Sequence, residues 1–367
     1  MFLLIVFCVV FLIQLFYYLY FFAPYAFFKQ QTAQVNSQPV SIIVCAKNEE
    51  ENLKNLFPCL LDQDYPEYEI VLVDDASSDG TLELMRSFVE QSSLSKVSLQ
   101  IVPVPPEHAK GKKFALTQGV LVAKNELLLL TDADCKPVSN KWIVQMSKGF
   151  SNDVSLILGY GAYKKIKGSY LNKLIRFETL LTAIQYFSYA LSGKAYMGVG
   201  RNLAYKKEDF LSVNGFESHH HLKSGDDDLF VSQIATPLNT AICDEVSSHT
   251  ISAPETSFTN WIRQKRRHLT TSSFYSSFHK FALGLFYVSQ LGFYTLTLIT
   301  LVYGIHLYLI STLVLVRFII WYAIVIQSSI KLNEKDLICL GPLYEISIIF
   351  IQLYIFLRNL VSPPKFW

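Results

Sequence analysis

The stretch Leu127-Leu128-Leu129-Leu130-Thr131-Asp132-Ala133-Asp134-Cys135 places two carboxylates, one residue apart, directly after an apolar run. A short apolar run that ends in acidic residues is typical of a buried strand whose last side chains reach the carboxyl edge of a sheet. Mg²⁺ and Mn²⁺ take few protein carboxylates and complete their coordination with water and phosphate oxygens. Asp132 and Asp134 therefore predict a metal corner for a nucleotide diphosphate, and the alternative is a solvated acidic turn.

Alternating strand and helix patterns precede this strand. Because βαβ repetition implies a mostly parallel sheet covered on both faces, we expect an α/β domain with ligands at the carboxyl edge of its strands. Asp74 and Asp75 end the second predicted strand and share that edge with Asp132 and Asp134. The predicted strands are 40–46, 69–75, 98–104 and 126–131, and the predicted helices are 48–61, 81–89 and 113–123.

Both ends of the chain are lipid-like. Hydrophobic residues make up 51% of the 367 residues, with 27 Phe and 21 Tyr, which is too apolar for an ordinary soluble protein. Segments 2–22, 281–303, 305–326 and 337–357 are each long enough to cross a hydrocarbon core about 30 Å thick. No basic segment precedes the first span and no small-residue cleavage site follows it, so we expect an uncleaved anchor. The predicted domains are a transmembrane anchor at 1–28, a globular domain at 39–270 and transmembrane helices at 281–357.

The charges that flank the last spans leave the orientation open. Lys331 and Lys335 flank one loop, and Arg358 and Lys365 mark the tail, so the positive-inside rule is ambiguous. If all three C-terminal segments cross, the globular domain and the tail lie on opposite sides of the membrane. If one is re-entrant or lies in the interface, they share a side.

Two charged residues fall near the middle of predicted spans, where an uncompensated charge is expensive. Arg317 and Glu345 pair with each other or line a polar path for a lipid-linked ligand. The milder alternatives are that Arg317 snorkels to the interface or that the span boundaries differ. Segment 171–191 is rich in aromatic residues and predicts a helix over the site or near the membrane surface.

The overall composition gives no support to two other classes of protein. The net charge is only +2, which gives no argument for nucleic-acid binding. The six cysteines are scattered without C-x-x-C spacing, so neither a zinc site nor a disulfide framework is indicated.

Two further stretches have residues that suit the binding of a nucleotide diphosphate. Asp74-Asp75-Ala76-Ser77-Ser78-Asp79-Gly80-Thr81 offers carboxylate acceptors for a ribose hydroxyl or a base N–H, although an Asp-Gly turn with a helix cap explains its second half. Lys110-Gly111-Lys112-Lys113 is a basic turn that opens a helix, where lysines and free N–H groups attract a diphosphate. The alternative is that Lys110, Lys112 and Lys113 are solvated.

Two stretches downstream carry charge that suits catalysis and phosphate binding. Ser224-Gly225-Asp226-Asp227-Asp228 places three carboxylates in a row, and mutual repulsion raises at least one pKa toward the range of a general base; the alternative is a surface turn. Gln264 and Arg267 share a helix face and are candidates for a phosphate contact. The alternative is a basic helix that faces anionic lipid beside a span.

The order of these motifs resembles that of a known family. The series Val-Asp-Asp-x-Ser-x-Asp-Gly-Thr, Asp-x-Asp, Asp-x-Asp-Leu and Gln-x-x-Arg is similar to that of membrane-anchored family 2 glycosyltransferases, relatives of the cellulose, hyaluronan and poly-N-acetylglucosamine synthases. The resemblance covers residues 39–270. It implies a GT-A fold with a Rossmann-like, mostly parallel sheet, a nucleotide-sugar donor, Mg²⁺ or Mn²⁺, and inversion at the anomeric carbon.

The resemblance also implies roles for the residues of the donor site. Asp75 would contact the nucleoside, Asp134 would be the main metal ligand, and Asp132 would support the nucleotide beside that metal. Gln264 and Arg267 match the phosphate-binding motif Gln-x-x-Arg-Trp.

On the acceptor side, the family likeness assigns the base to Asp226. Segment 198–202, with Gly200 and Asn202, resembles the stretch that lines the acceptor site. The family's Glu before the base is Gly225 here, which leaves open whether Asp226 or Asp227 abstracts the proton. The family's Trp after the Arg is His268, which weakens the inference of a processive polymerase.

The resemblance leads to an expected activity and location. We expect an inverting enzyme that moves a sugar from a nucleotide-sugar donor, a UDP-sugar, to a lipid-linked or glycan acceptor. We expect it at a bacterial inner membrane, with the catalytic domain in the cytoplasm. The alternatives are a processive polysaccharide synthase and a non-catalytic membrane scaffold with a decayed transferase domain. A membrane nucleotidyltransferase is disfavoured because Cys45-Ala46-Lys47-Asn48-Glu49-Glu50, after the first strand, contains no glycine for a phosphate loop.

Overall fold

The computed structural model describes residues 1–29, 38–92, 97–105, 107, 111–222 and 224–362. The chain folds into two compact units. The first, here called the helical unit, comprises Met1–Lys29, Ile166–Tyr189 and Glu255–Trp367; the second, the sheet unit, comprises Gln30–Lys165 and Ala190–Pro254. Packing thus groups 166–189 and 255–270, which the predicted domain limits place in the globular domain, with the apolar helices.

The elements follow the sequence patterns closely. The strands are β1 Val40–Ala46, β2 Tyr68–Asp74, β3 Ser98–Pro103, β4 Leu127–Asp132, β5 Cys135–Pro137, β6 Leu156–Gly159, β7 Gly161–Tyr163, β8 Leu203–Lys206, β9 Thr240–Cys243 and β10 Thr250–Ser252. The α-helices are α1 Phe2–Phe16, α2 Ala23–Ala26, α3 Glu50–Leu61, α4 Thr81–Ser92, α5 Lys112–Val122, α6 Trp142–Ser147, α7 Tyr170–Leu191, α8 Lys207–Ser212, α9 Asp228–Ile234, α10 Phe258–Leu269, α11 Ser277–Val302, α12 Leu307–Lys331 and α13 Gly341–Val361.

The predicted α/β architecture is confirmed in the sheet unit. One sheet has the strand order β3-β2-β1-β4-β8-β6-β9, in which β1 pairs in parallel with β2 and β4, and β2 pairs in parallel with β3. Strand β8 runs antiparallel to β4 and to β6. The apolar runs are buried, as a sheet covered by helices on both faces requires; Ile42, Ile70 and Leu129 are at most 2% exposed. A second sheet has the order β5-β10-β7.

Strand register places the acidic residues at one edge. Ala46 at the end of β1 pairs with Asp74 of β2, and Cys45 pairs with Asp132 of β4. The carboxyl ends of the three central parallel strands therefore meet, and the side chains that follow them converge on one crevice.

Among the described residues, four helices are long and apolar enough to cross a membrane: Phe2–Ala26, Ser277–Val302, Leu307–Lys331 and Gly341–Val361. The first continues from α1 to α2 through a π-helical segment at Tyr17–Phe22. The third begins later than predicted because His306 adopts a left-handed backbone with φ 43°. The fourth begins four residues later than the predicted span, where Pro342 occupies the first helical turn.

The intramembrane charges pair, which is one of the alternatives posed for them. Arg317 donates to both carboxylate oxygens of Glu345, at 2.9 Å and 2.7 Å, and both side chains are 1% exposed. Tyr18 accepts a further bond from Arg317 at 2.7 Å, and Gln290 donates to Glu345 at 3.0 Å. The charges are thus neutralised inside the helical unit.

Helix α7 confirms the predicted helix at 171–191 and packs on the apolar helices. Tyr189 stacks on Phe21 with ring centroids 4.7 Å apart, and Phe177 lies 5.4 Å from the ring of Tyr344. These ring contacts join α7 to the apolar helices of its own unit.

Candidate active site

The proposed metal corner lies between β4 and β5. Asp132, Asp134 and Cys135 each offer one ligand atom, and these atoms lie within 4.8 Å of one another. Cys135 is buried, which raises the pKa of its thiol, so the thiol stays protonated and donates to Asp134 Oδ1 at 3.3 Å. The remaining donors are two carboxylates. This hard oxygen set fits Mg²⁺ or Mn²⁺ better than a thiolate-binding metal.

Lys112, the first residue of α5, bridges two acidic side chains from distant parts of the chain. Its Nζ lies 2.7 Å from Asp132 Oδ1 and 2.9 Å from Asp226 Oδ2. The bridge brings the predicted metal corner and the predicted base within reach of one ammonium group. The side chain of Lys112 is 42% exposed, so it also remains open to an incoming anion.

The neighbouring lysine has a different environment. Lys113 is buried and donates to the backbone oxygens of His219 at 2.7 Å and Leu222 at 3.1 Å. Burial lowers the pKa of Lys113 to about 8. Its observed contacts tether the loop that precedes Asp226, and its binding to a diphosphate stays a prediction. Lys110, also predicted to bind phosphate, lies outside the described residues.

The three consecutive carboxylates have distinct surroundings. Asp227 caps α9: its Oδ1 accepts from Asp228 N at 2.8 Å and its Oδ2 accepts from Gly200 N at 2.9 Å. Burial, together with the charges of Asp226 and Asp228, raises the pKa of Asp227 to about 7. Burial also acts to raise the pKa of Asp226, but Lys112 outweighs it and holds that pKa below its usual value. The predicted rise of one pKa is therefore confirmed at Asp227.

Segment 198–202 lies against these carboxylates. A Cβ on Gly200 would lie 3.6 Å from Asp226 Oδ2 and 3.5 Å from Asp227 Cβ, which are ordinary van der Waals distances, so the backbone at Gly200 runs directly beside the acidic turn. The next residue, Arg201, donates to Ser252 Oγ at 2.8 Å and lies 4.3 Å over the ring of Tyr163.

Asn202 holds this segment in place. Its side chain is fully buried; Oδ1 accepts from Trp142 Nε1 at 2.9 Å, and Nδ2 donates to the backbone oxygens of Tyr160 at 2.9 Å and Ser248 at 2.8 Å. Because the amide of Asn202 makes three bonds inside the protein, its described contacts are structural, and contact with a substrate stays a prediction.

The nucleoside side of the edge is built by the turns after β1 and β2. Asp74 accepts weakly from Ser77 N at 3.4 Å, and Lys47 Nζ lies 3.7 Å from Asp75 Oδ2. Asp75 is 5% exposed; burial raises the pKa of its carboxyl, and Lys47 partly offsets that rise. Among the residues that the structure describes, no hydrogen-bond donor reaches Asp75 Oδ1, which leaves an acceptor for a ribose hydroxyl or a base N–H.

Gln264 and Arg267 lie on α10, in the helical unit, and their part in a donor site stays a prediction. Their neighbours on α10 are engaged in packing. Lys265 Nζ lies 2.5 Å from Glu178 of α7, and Arg266 donates to Asn359 of α13 at 2.7 Å. The basic run therefore serves in part to dock α10 on other helices of its unit.

Sequence reasoning missed two residues at the edge. Lys47, whose ammonium lies beside Asp75, stands in a stretch whose only sequence signal is its lack of glycine. His219, whose carbonyl holds Lys113, belongs to a run of three histidines that predicts nothing by spacing. Both contacts join segments far apart in the chain, so no local signal announces them.

Comparisons with known proteins agree with this geometry. Residues 41–211 match the family model described as Glycosyl transferase family 2. Over 95 residues the chain is 30% identical to the Poly-beta-1,6-N-acetyl-D-glucosamine synthase of Staphylococcus epidermidis. The aligned segment covers 26% of this chain and 21% of that protein. Over 130 residues it is 30% identical to the UDP-Glc:alpha-D-GlcNAc-diphosphoundecaprenol beta-1,3-glucosyltransferase WfgD of Escherichia coli, covering 35% of this chain and 47% of that protein.

The chain spans only about a fifth to about a half of the curated relatives that it matches. One solved structure with a similar fold is the mannosyltransferase PcManGT of Pyrobaculum calidifontis, determined in complex with GDP-Man and Mn²⁺. The TM-score is 0.58 at 17% identity, over 90% of this chain and 97% of that one. At this identity the likeness concerns the fold.

Proposed function

We propose that this protein is an inverting glycosyltransferase that works at a membrane, because residues 41–211 match the family 2 glycosyltransferase model and the fold resembles that of a solved mannosyltransferase. It transfers a sugar from a nucleotide-diphosphate sugar to a lipid-linked or glycan acceptor for cell-envelope or polysaccharide synthesis. The proposed donor is a UDP-sugar. The observation that carries the proposal is that Asp132 and Asp226 meet at one edge of the sheet. Their carboxylate oxygens lie 2.7 Å and 2.9 Å from the same ammonium group, that of Lys112.

Each group at the edge has a task in this proposal. Asp75 accepts from the nucleoside, and Asp134 with Asp132 would hold Mg²⁺ or Mn²⁺. When bound, the ion supplies positive charge that stabilises the leaving diphosphate. Gln264 and Arg267 contact the diphosphate, and Gly200 lines the place where the acceptor hydroxyl lies.

Asp226 is the proposed base. Both oxygens of Asp227 accept backbone N–H bonds, and these cannot leave without moving the turn, whereas the partner of Asp226 is a flexible lysine. The pKa of about 7 alone favours Asp227. Geometry takes precedence, because a base must have an oxygen free for the proton it abstracts. The acceptor hydroxyl then attacks the anomeric carbon from the face opposite the diphosphate, which inverts its configuration.

The likeness to named relatives supports two acceptor classes. One relative is named as a polysaccharide synthase and another as a transferase to a diphosphoundecaprenol-linked sugar. His268, at the position of the family's Trp, favours a single addition over processive synthesis. A bacterial inner membrane with the catalytic domain in the cytoplasm is the location that suits a nucleotide-sugar donor.

The proposal is tested with purified full-length protein, a panel of UDP- and GDP-sugars, Mn²⁺ or Mg²⁺, and extracted membrane lipids as acceptor. Mass spectrometry of the products is expected to show one added hexose on a lipid for one donor. A ladder of additions would favour the processive alternative. Absence of both transfer and donor hydrolysis, across the panel, would support the scaffold alternative instead.

Asp134→Ala is expected to weaken Mn²⁺-dependent binding of the nucleotide at least about tenfold, because the corner loses one of two carboxylate ligands. Calorimetric titration with UDP and GDP, with and without Mn²⁺, measures the effect. Asp153→Ala, which removes an exposed acid elsewhere in the sheet unit, is the charge-matched control. Unchanged Mn²⁺-dependent affinity in Asp134→Ala would remove this residue from the metal site.

A further inference from the structure

Lys112 occupies the place where a divalent cation bound with the donor would supply positive charge. Its ammonium lies 2.7 Å from Asp132, a proposed ligand, and 2.9 Å from Asp226, the proposed base. We propose that Lys112 is an exchangeable counter-ion: it neutralises both carboxylates before the donor binds, and it moves to the diphosphate when the donor arrives. This inference rests on the proposed function, and it assigns Lys112 to coupling donor binding with release of the base.

The two adjacent lysines show that one is held and the other is able to move. Lys113 is 8% exposed and held by two backbone carbonyl oxygens. Lys112 is 42% exposed, and its partners are side chains at the mouth of the crevice. Gly111 before it has φ 90°, and a Cβ added there would meet none of the described atoms within 4 Å, so the described residues leave open space beside Gly111. A flexible four-carbon stem lets an ammonium change partners in such space.

The exchange has a thermodynamic consequence. A free divalent ion that approaches Asp132 must displace the ammonium, which then has lost a carboxylate and gained no partner. An ion that arrives with a diphosphate offers Lys112 a new anion at the same moment. Lys112 therefore makes the binding of metal and nucleotide cooperative, and by reciprocity each ligand strengthens the other by the same factor. Asp226 is freed in the same step, so the base becomes available when the donor is present.

The test is Mn²⁺ binding to the full chain, measured by electron paramagnetic resonance of the free ion, without nucleotide and with UDP or GDP. Lys112→Met is expected to bind Mn²⁺ alone about tenfold more tightly than the wild-type protein, a size typical of coupling between sites. The nucleotide should then enhance Mn²⁺ binding less, by about the same factor. Lys47→Met is the matched control, because it removes an exposed lysine beside another carboxylate of the edge.

The outcomes separate the two proposals. Mn²⁺ affinity in Lys112→Met that is equal to or weaker than in the wild-type protein, or no different from Lys47→Met, overturns the role of Lys112. Failure of the wild-type protein to bind Mn²⁺, alone or with UDP or GDP, overturns the proposed metal-dependent function itself, and with it the exchange.

A different observation concerns the last apolar helix, α13, and the end of the helix before it. The preceding helix, α12, ends at Lys331, whose ammonium donates to the backbone oxygens of Tyr25, at 3.0 Å, and Phe28. These residues end the first apolar helix, from which the chain continues into the sheet unit. Lys331 therefore marks the side of the membrane on which the first apolar helix ends.

Both ends of α13 are bound to helices on that same side. Just before α13, Glu334 and Asp336 pair with Arg176 of α7. At its far end, Asn359 accepts from Arg266 of α10 at 2.7 Å, and Ser362 O accepts a second bond from Arg266. Helix α10 directly precedes α11, whose start lies beside Tyr17 of the first helix through Ala282 O. A spanning α13 would instead end beside the turn at Tyr303.

We infer that α13 enters and leaves the membrane on one side, so that the chain crosses three times. The outward face of α13 is apolar, with Phe350, Phe356 and Leu360 between 52% and 67% exposed, and this face fits the hydrocarbon of a single leaflet. Of the two topologies open from the sequence, the one with a C-terminal segment that does not cross the membrane follows.

Cysteine labelling with a membrane-impermeant maleimide tests this topology in intact cells and in permeabilised ones. In a Cys339→Ser background, which serves as the blank, Ser362→Cys is expected to label from the same side as Lys29→Cys, which lies just beyond the first apolar helix. Tyr303→Cys, in the turn between α11 and α12, is expected to label from the opposite side. Labelling of Ser362→Cys together with Tyr303→Cys would show a fourth crossing and overturn the inference, whatever the enzymatic activity.

Discussion

Asp226→Asn is expected to lower the rate of sugar transfer at least about 100-fold, since general-base catalysis typically contributes about 10²- to 10⁴-fold. The amide has the same shape as the carboxylate but cannot accept the proton of the acceptor hydroxyl. Affinity for the nucleotide should stay within about twofold, because Asp75, Asp132 and Asp134 are unchanged. Single-turnover transfer and equilibrium titration of the nucleotide measure the two quantities separately.

Asp227→Asn is the companion variant that decides between the neighbouring carboxylates. Asp227 Oδ1 and Oδ2 each accept a backbone N–H, so an amide NH₂ in place of one oxygen would face a donor. We expect loss of thermal stability and a raised KM for the acceptor in this variant, because Gly200 is displaced. If Asp226→Asn keeps more than about a hundredth of the wild-type rate while Asp227→Asn loses it, the base is Asp227.

Arg317→Met is expected to lower the free energy of unfolding by about 3–5 kcal/mol, the cost of leaving one member of a buried ion pair without its partner. Glu345 would then stay 1% exposed, with only hydroxyl and amide hydrogen bonds to stabilise its negative charge. Titration with denaturing detergent, followed by loss of helical circular dichroism, measures the change. Arg358→Met, on an exposed arginine of α13, is the control and should shift stability by less than about 0.5 kcal/mol.

The double variant Arg317→Met with Glu345→Met separates pairing from a functional charge. Replacing both members of a buried pair by apolar residues is often neutral, so the double variant should recover most of the lost stability. A double variant as unstable as Arg317→Met would show that the two charges act independently. A stable double variant that no longer transfers sugar would revive the alternative of a polar path for a lipid-linked substrate.

The elements that build the donor edge were predictable because their signals are local. Apolar runs at 40–46 and 127–130 read as buried strands, and the acidic residues after them follow directly in the sequence. Register then brings Asp74 and Asp132 to the two flanks of β1, as parallel pairing requires. The same holds for the apolar helices, since length and composition alone make a span.

Much of the site itself depended on contacts across the chain. Lys112 and Lys113 are adjacent and chemically identical, yet one bridges Asp132 and Asp226 while the other holds the carbonyls of His219 and Leu222. Likewise Asn202 stands in a predicted acceptor segment, but its amide is enclosed by Trp142 and two backbone oxygens. Which neighbour a side chain finds is set by packing.

The sequence by itself determined the α/β class, the carboxylates at the strand ends, the four apolar helices and the match of residues 41–211 to the family 2 glycosyltransferase model. Tertiary structure alone decided which lysine bridges the acids, that Arg317 meets Glu345, and that Asn359 at the end of α13 lies beside Arg266. The physical reason is range. Backbone periodicity and hydropathy are properties of neighbouring residues, whereas partners far apart in the chain are chosen by the packing of whole elements.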